Sequence, residues 1–108
     1  ADILEGHLSS ALCHLGNISY RLGTYLSVGE VKDRLQSLSS PEHLQATYER
    51  FTQHLTDNNL DLKTTKLDFG ANLDVDPVNE KFVDNSAADA LLTRDYRAPF
   101  VVPAAGQV

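Results

Sequence analysis

The residues with the most evident chemical potential are two histidines and the single cysteine near the start of the chain. His7 and His14 stand seven residues apart, which puts them on one helix face but about 10.5 Å apart along its axis. Histidines that share a metal ion on a helix stand four apart, so this spacing disfavours a joint site. Cys13 and His14 are adjacent in sequence, and adjacent helical positions point in different directions. The pattern therefore predicts no catalytic residue and no metal ligand, with Cys13 as a small buried side chain.

Two aspartates and an asparagine, Asp74, Asp76 and Asn79, invite comparison with a calcium loop. An EF-hand loop requires glycine at its sixth position and glutamate at its twelfth. Counted from Asp74, those positions hold Asn79 and Asn85. The motif fails, and a hairpin turn around Pro77 explains the same residues.

One polar strip remains as a candidate binding feature. Five polar side chains recur at helical spacing and share one face of the first predicted helix. Such a strip can form a domain interface, meet water or contact a substrate, and the sequence leaves these three alternatives open. The polar strip consists of His7, Ser10, His14, Asn17 and Arg21.

Composition removes several classes of function. The chain has 108 residues and a formal charge of −6, a size that fits one domain and a charge that disfavours a nucleic-acid partner. Its nine basic residues are scattered, so no membrane-binding patch is predicted. The sequence contains no dinucleotide fingerprint, phosphate-binding loop or nucleophile elbow, so we expect no cofactor in this chain. It also holds no methionine, so we expect that its first residue was not the translational start.

A long amphipathic helix must position the polar strip. Apolar residues three and four apart predict a helix over residues 2–22, with Asp2 as its N-cap and Gly23 as a left-handed residue that ends it. We call these apolar residues the apolar stripe: Leu4, Leu8, Ala11, Leu12, Leu15, Ile18 and Leu22.

The remaining patterns predict an α+β fold, mainly helical with about four helices and one small antiparallel hairpin or sheet. They indicate one domain over residues 1–103 and a flexible tail over 104–108. The predicted elements are an extended segment at 24–28, helices at 30–38 and from Pro41 to about 57–59, a strand at 66–75 that pairs with 81–83, and a last helix capped by Ser86.

Three blocks of sequence resemble one known family. They are EGHLSSALCHLGNISYRLG at 5–23, LDVDPVNEKF at 73–82, and NSAADALLTRDYRAP at 85–99 followed by FVVP at 100–103. Together they resemble the C-terminal region of Gfo/Idh/MocA oxidoreductases, in the bacterial branch with an extended C-terminal domain. Many relatives carry an aromatic residue where Val75 stands, and the helical segment 29–62 is less specific.

The resemblance implies a parent protein with an N-terminal Rossmann domain that binds NAD or NADP, and an α+β domain that shapes the pocket for a sugar or polyol. The family's catalytic lysine and histidine match no residue here, so no catalytic role is carried over. The partners that the resemblance implies are the remainder of the parent chain and a homo-oligomer. Relatives occur both in the cytoplasm and as exported proteins, so the compartment stays open. The alternative is a free-standing interaction module that holds a peptide in a groove between its first and third helices.

Overall fold

The computed structural model describes residues 2–38, 41–103 and 106–107, which cluster in two compact units, Ala1–Ala71 and Asn72–Val108. Its helices and strands confirm the predicted fold class, which is α+β and mainly helical. The described residues form two two-stranded antiparallel sheets, where one was expected. The single domain over 1–103 stays a prediction, and residues 104, 105 and 108 of the predicted tail lie outside the described residues. The elements are α1 (Ile3–Arg21), β1 (Thr24–Ser27), α2 (Val28–Gln36), α3 (Pro41–Asp57), β2 (Lys66–Phe69), β3 (Val75–Asp76), β4 (Lys81–Phe82) and α4 (Ser86–Asp89).

Helix α1 begins as predicted and ends differently. The Asp2 side chain accepts a hydrogen bond from the Leu4 N–H at 3.2 Å and is the N-cap. The predicted left-handed conformation of Gly23 is wrong, because its φ is not positive. Leu22 is the C-cap, and its N–H donates back to Ile18. Gly23 instead lies where the helix end meets the first sheet, and there a side chain has no room.

The strand predicted over 66–75 is shorter than expected and has another partner. β2 ends at Phe69 and pairs antiparallel with β1, with Thr24 opposite Phe69. Beyond it the chain bonds to α1: the Ser19 Oγ donates to the Ala71 carbonyl at 2.7 Å, and the Ala71 N–H donates to the Ser19 carbonyl at 2.9 Å. These two bonds replace the continuation of the strand ladder.

Helix α2 begins two residues earlier than predicted. Ser27 is its N-cap and forms a capping box with Glu30, whose carboxylate accepts from the Ser27 N–H at 2.8 Å. The hydrogen bond that the Ser27 hydroxyl donates to this carboxylate at 2.6 Å is the largest cause of the lowered Glu30 pKa, followed by the bond from the Ser27 N–H. The Tyr48 hydroxyl of α3 donates to the Val28 carbonyl at 2.8 Å and so joins the two helices. Burial raises the pKa of that hydroxyl, with a smaller contribution from Asp33.

Helix α3 ends where the sequence predicts. The residue after its last turn, Asn59, has a left-handed φ of 61°. The Leu60 N–H then donates to the Leu55 carbonyl at 3.0 Å, which is the hydrogen bond of a Schellman motif.

The second unit is built on the predicted β3–β4 hairpin, in which Val75 lies opposite Phe82. The last helix is a single turn whose N-cap is Asn85, not Ser86, because the Asn85 side chain accepts from the Ala88 N–H at 3.0 Å. The Asp89 carboxylate accepts a hydrogen bond from the Phe82 N–H at 2.8 Å, and this bond joins α4 to β4. Phe82 and Ala88 are buried here, whereas Ile18, Val28 and Val31 are buried in the first unit.

Candidate functional site

The apolar stripe of α1 is the most conspicuous feature of the first unit, because half of it is uncovered. Leu4, Leu8 and Leu12 are 58%, 55% and 71% exposed. A leucine side chain stabilises a folded protein by about 1.5–3 kcal/mol when it is fully buried. Burial of these three leucines by another structure would therefore stabilise the resulting complex by several kcal/mol.

Helix α1 is anchored only near its C-terminal end. All described residues from 2 to 10 are exposed, and Ile18 is the one buried residue of the helix. Next to it, Ser19 makes the two backbone-directed bonds to Ala71. Cys13 is exposed, so its predicted burial is wrong: the first turns extend beyond the elements that cover Ile18.

The polar strip lies next to the apolar stripe on the same helix, and all five of its members are exposed. The Ser10 hydroxyl donates within the helix, to the carbonyls of Gly6 at 2.9 Å and His7 at 3.0 Å. Ser10 is therefore engaged by its own backbone. The choice among interface, water and substrate contact for the strip stays a prediction.

Metal-binding clusters are not found in the described part of the chain, where no three His, Cys, Asp or Glu side chains could hold one ion. At the hairpin considered for calcium, the Asp76 carboxylate accepts bonds from its own turn. Its Oδ2 accepts from the Asn79 side chain at 2.6 Å, and its Oδ1 accepts from the Val78 and Asn79 N–H groups. The bond from the Asn79 side chain is the largest cause of the lowered Asp76 pKa, followed by the two backbone bonds.

A pH dependence of the hairpin follows from this lowered pKa. Because the carboxylate is favoured in the fold, its contribution is fully present above its ordinary pKa of 3.8 and is lost as the pH falls through the lowered value. An NMR titration of the Asp76 carboxyl carbon measures it. Asn79→Ala removes the largest cause, so the Asp76 pKa should rise toward 3.8. An unchanged pKa in that variant would contradict the explanation.

Asp68 holds a carboxylate oxygen without a donor. Its Oδ1 is shielded from solvent and accepts no hydrogen bond from the described residues. A Cβ built on Gly23 would lie 2.5 Å from this oxygen, 2.8 Å from the Phe69 carbonyl and 2.9 Å from the Tyr20 carbonyl. Three oxygens therefore crowd around Gly23, and a buried acceptor without a partner costs about 1–3 kcal/mol.

Asp68→Asn is expected to raise the free energy of unfolding of the first unit by about 1 kcal/mol. The amide NH₂ can supply a donor among acceptor oxygens, and the change removes a charge without changing the side-chain volume. Hydrogen exchange of the β1–β2 amides measures it, with the exposed Asp33→Asn as control. Slower exchange in both variants, or in neither, would refute this role of Oδ1.

A groove with a volume of about 270 Å³ lies between α2, α3 and β2. A separate surface depression of about 290 Å³ is lined mainly by residues of α2. The groove is mainly apolar, and Phe51 on its α3 side is 45% exposed. The groove predicted between the first and third helices stays a prediction, and the groove described here has a wall from the sheet. Periodicity had placed the α3 residues on one face, but only the pairing of β2 with β1 completes the wall. The lining includes Val31, Leu35, Leu44, Tyr48, Phe51 and Phe69.

Comparison of the chain with protein-family models, with curated proteins and with solved structures finds no match. Among the described helices, none combines the length and apolar character that a membrane crossing requires.

Proposed function

We propose that this chain is the C-terminal structural region of an NAD(P)-dependent sugar or polyol oxidoreductase, and that it scaffolds the parent enzyme without catalysing the reaction itself. In the parent, NAD or NADP would accept or supply the hydride. The residues of this chain would contribute packing surfaces. Its partner would be the remainder of the parent chain, with a homo-oligomer as a further possibility.

The resemblance supports the oxidoreductase assignment, and its blocks coincide with structural elements. Block 5–23 covers nearly all of α1, and block 73–82 covers the β3–β4 hairpin. Block 85–103 begins at the N-cap of α4 and continues through the following segment, where Arg94 lies over the Tyr96 ring at 5.5 Å. Each block therefore overlaps at least one helix or hairpin of the structure.

The exposed half of the apolar stripe is the observation that carries the scaffolding role. Most of the stability of a helix in a protein comes from packing of its amphipathic face, and α1 contains Gly6 and Gly16, each less favourable than alanine by about 1 kcal/mol. A covering surface stabilises such a helix. Packing of α1 against the parent's substrate domain supplies that cover.

Calorimetric titration with NAD and NADP tests the assignment. This chain should bind neither coenzyme, whereas the longer protein that contains it should bind one of them and oxidise or reduce a sugar or polyol. Micromolar coenzyme affinity of the 108-residue chain, or a longer protein without coenzyme binding, would refute the proposal.

The groove between α2, α3 and β2 favours a second candidate, a free-standing interaction module that holds a peptide there. Phe51→Asp in the groove distinguishes the two functions. A module would lose its peptide ligand in this variant, whereas the scaffold would retain the coenzyme-dependent activity of the longer protein.

A further inference from the structure

Strand β2 has a free edge, because the described residues pair it with β1 and with no other strand. The direction of its backbone groups follows from two contacts. The Phe69 carbonyl points toward β1, since it lies 2.8 Å from a Cβ built on Gly23, the residue before β1. Ala71, two residues further on, directs both its N–H and its carbonyl to Ser19. Residues two apart in an antiparallel strand direct these groups to the same side, so Phe69 and Leu67 bond to β1.

Asp68 lies between these two residues and directs its N–H and carbonyl to the free edge. Neither group forms a backbone hydrogen bond with another described residue at that edge. The same edge borders the apolar groove, whose β2 wall consists of Leu67, Asp68 and Phe69. Unpaired backbone groups at the edge of a sheet pair with another extended segment. The backbone of Asp68 therefore indicates that an extended chain, not a helix, covers this side of the groove.

The side chains of β2 specify the residues of an added strand. Successive side chains alternate between the two faces of a sheet, so Leu67 and Phe69 share the groove face, and Lys66 and Asp68 share the other. Residues directly opposite each other in neighbouring strands lie on the same face and interact there. The Asp68 Oδ1 accepts no hydrogen bond from the described residues. A basic residue opposite Asp68, between two apolar residues, therefore complements this edge.

A second copy of β2 fits this edge poorly for a steric reason. In an antiparallel pair of identical strands, a two-fold axis relates the copies and leaves their helices on the same side of the joint sheet. Helix α3 lines the groove together with β2, and no described residue of β1 takes part. It therefore stands on the free-edge side, in the space that α2 of the second copy would need. A single strand without attached helices does not meet this obstacle.

We propose that the free edge of β2 binds one extended segment of another protein as an antiparallel strand, with a basic residue opposite Asp68 and an apolar residue on each side of it. The residue opposite Asp68 exchanges two backbone hydrogen bonds with it, and its cationic group lies beside the carboxylate. The apolar side chains enter the groove beside Leu67 and Phe69. This inference deepens the second candidate function and rests on it in one respect, that a peptide occupies the groove.

Two capped peptides, TVKVET and TVEVET, test the proposal in NMR titrations of the 108-residue chain. In the antiparallel register, the first places lysine opposite Asp68 and glutamate opposite Lys66, and the second places glutamate opposite both. TVKVET should bind about fivefold more tightly, which corresponds to about 1 kcal/mol, the upper part of the range for a cross-strand charge pair. Its binding should slow hydrogen exchange of the Asp68 amide, which is unpaired in the free chain.

Methyl groups on the peptide backbone test the pairing directly. N-methylation of the lysine in TVKVET removes the donor to the Asp68 carbonyl and places a methyl group between the strands, so binding should be lost. N-methylation of the valine that follows is the matched control, because its N–H points away from β2 and binding should persist.

Substitutions in the chain locate the site. Asp68→Asn should reduce the preference for TVKVET to less than about twofold, because it removes the carboxylate charge. Phe51→Asp should abolish binding of both peptides, since it places a charge in the groove. Leu12→Asp, at a residue of α1 that is also exposed, should leave both affinities unchanged.

Several results would overturn the proposal. Equal affinities of the two peptides, or no binding of either, would contradict the basic residue opposite Asp68. Binding of TVKVET that survives methylation of its lysine nitrogen would leave the peptide-binding function standing and refute the added strand. Sedimentation should find the chain monomeric, and a dimer with a protected Asp68 amide would assign the edge to a second copy. None of these readouts involves a coenzyme, so a failure here is distinct from a failure of the oxidoreductase assignment.

Discussion

Gly23→Ala is expected to lower the free energy of unfolding of the first unit by about 3 kcal/mol, the upper part of the range for inserting atoms into packed structure. The new Cβ would lie 2.8 Å from the Phe69 carbonyl and 2.9 Å from the Tyr20 carbonyl. Both belong to the backbone, so the sheet or the helix end must move. Amide exchange in the β1–β2 ladder should accelerate by about 100-fold, since 1.4 kcal/mol is about a factor of ten.

Gly16→Ala is the matched control for this prediction. Nothing lies within 4 Å of a Cβ built on Gly16, which is in the interior of α1. Alanine is favoured over glycine in a helix by about 1 kcal/mol, so the free energy of unfolding of this variant should be higher than that of the unsubstituted 108-residue chain. If both substitutions changed stability in the same direction, the close approach at Gly23 would not be its reason for being glycine.

Phe82→Ala is expected to unfold the second unit. Phe82 is 5% exposed and is one of the two buried side chains described there. Removal of a buried phenylalanine side chain costs about 3–5 kcal/mol, and a unit of this size has little stability to lose. Protection of the Val83 amide, which donates to the Asp74 carbonyl, should disappear.

Val78→Ala provides the comparison within the same hairpin. Val78 is 87% exposed, and surface substitutions change stability by less than about 0.5 kcal/mol. Val83 should keep its protection in this variant. Retained protection in Phe82→Ala would mean that the hairpin does not depend on this side chain.

Local patterns predicted most of the helical structure. The three-four spacing of apolar residues and Asp2 were sufficient for α1, and Pro41 and Asn59 bracketed α3. The start of α2 was also present in the sequence, because Ser27-Val28-Gly29-Glu30 is a capping-box pattern. The predicted first residue, 30, was wrong because apolar spacing was given more weight than the capping pattern.

Sheet pairing was the part that the sequence could not provide. Alternation predicted one strand over 66–75, but it carries no information about its partner or about where the ladder stops. The ladder stops because Gly70 lies against Ser19, with a Cβ position 2.5 Å from the Ser19 Oγ. That contact joins residues 51 apart, which no local pattern encodes.

The amino-acid order alone determined which residues of α1 share a face, and hence both the apolar stripe and the polar strip, because helical periodicity is a local property. Tertiary structure decided how much of the stripe is covered: Ile18 is buried beside the bonds from Ser19 to Ala71, whereas Leu4 and Leu8 are exposed. Burial depends on which distant segments meet the helix, and those segments reach only its C-terminal turns. The exposed part of the apolar stripe is therefore a consequence of the fold, and the residues that form the stripe are a consequence of the sequence.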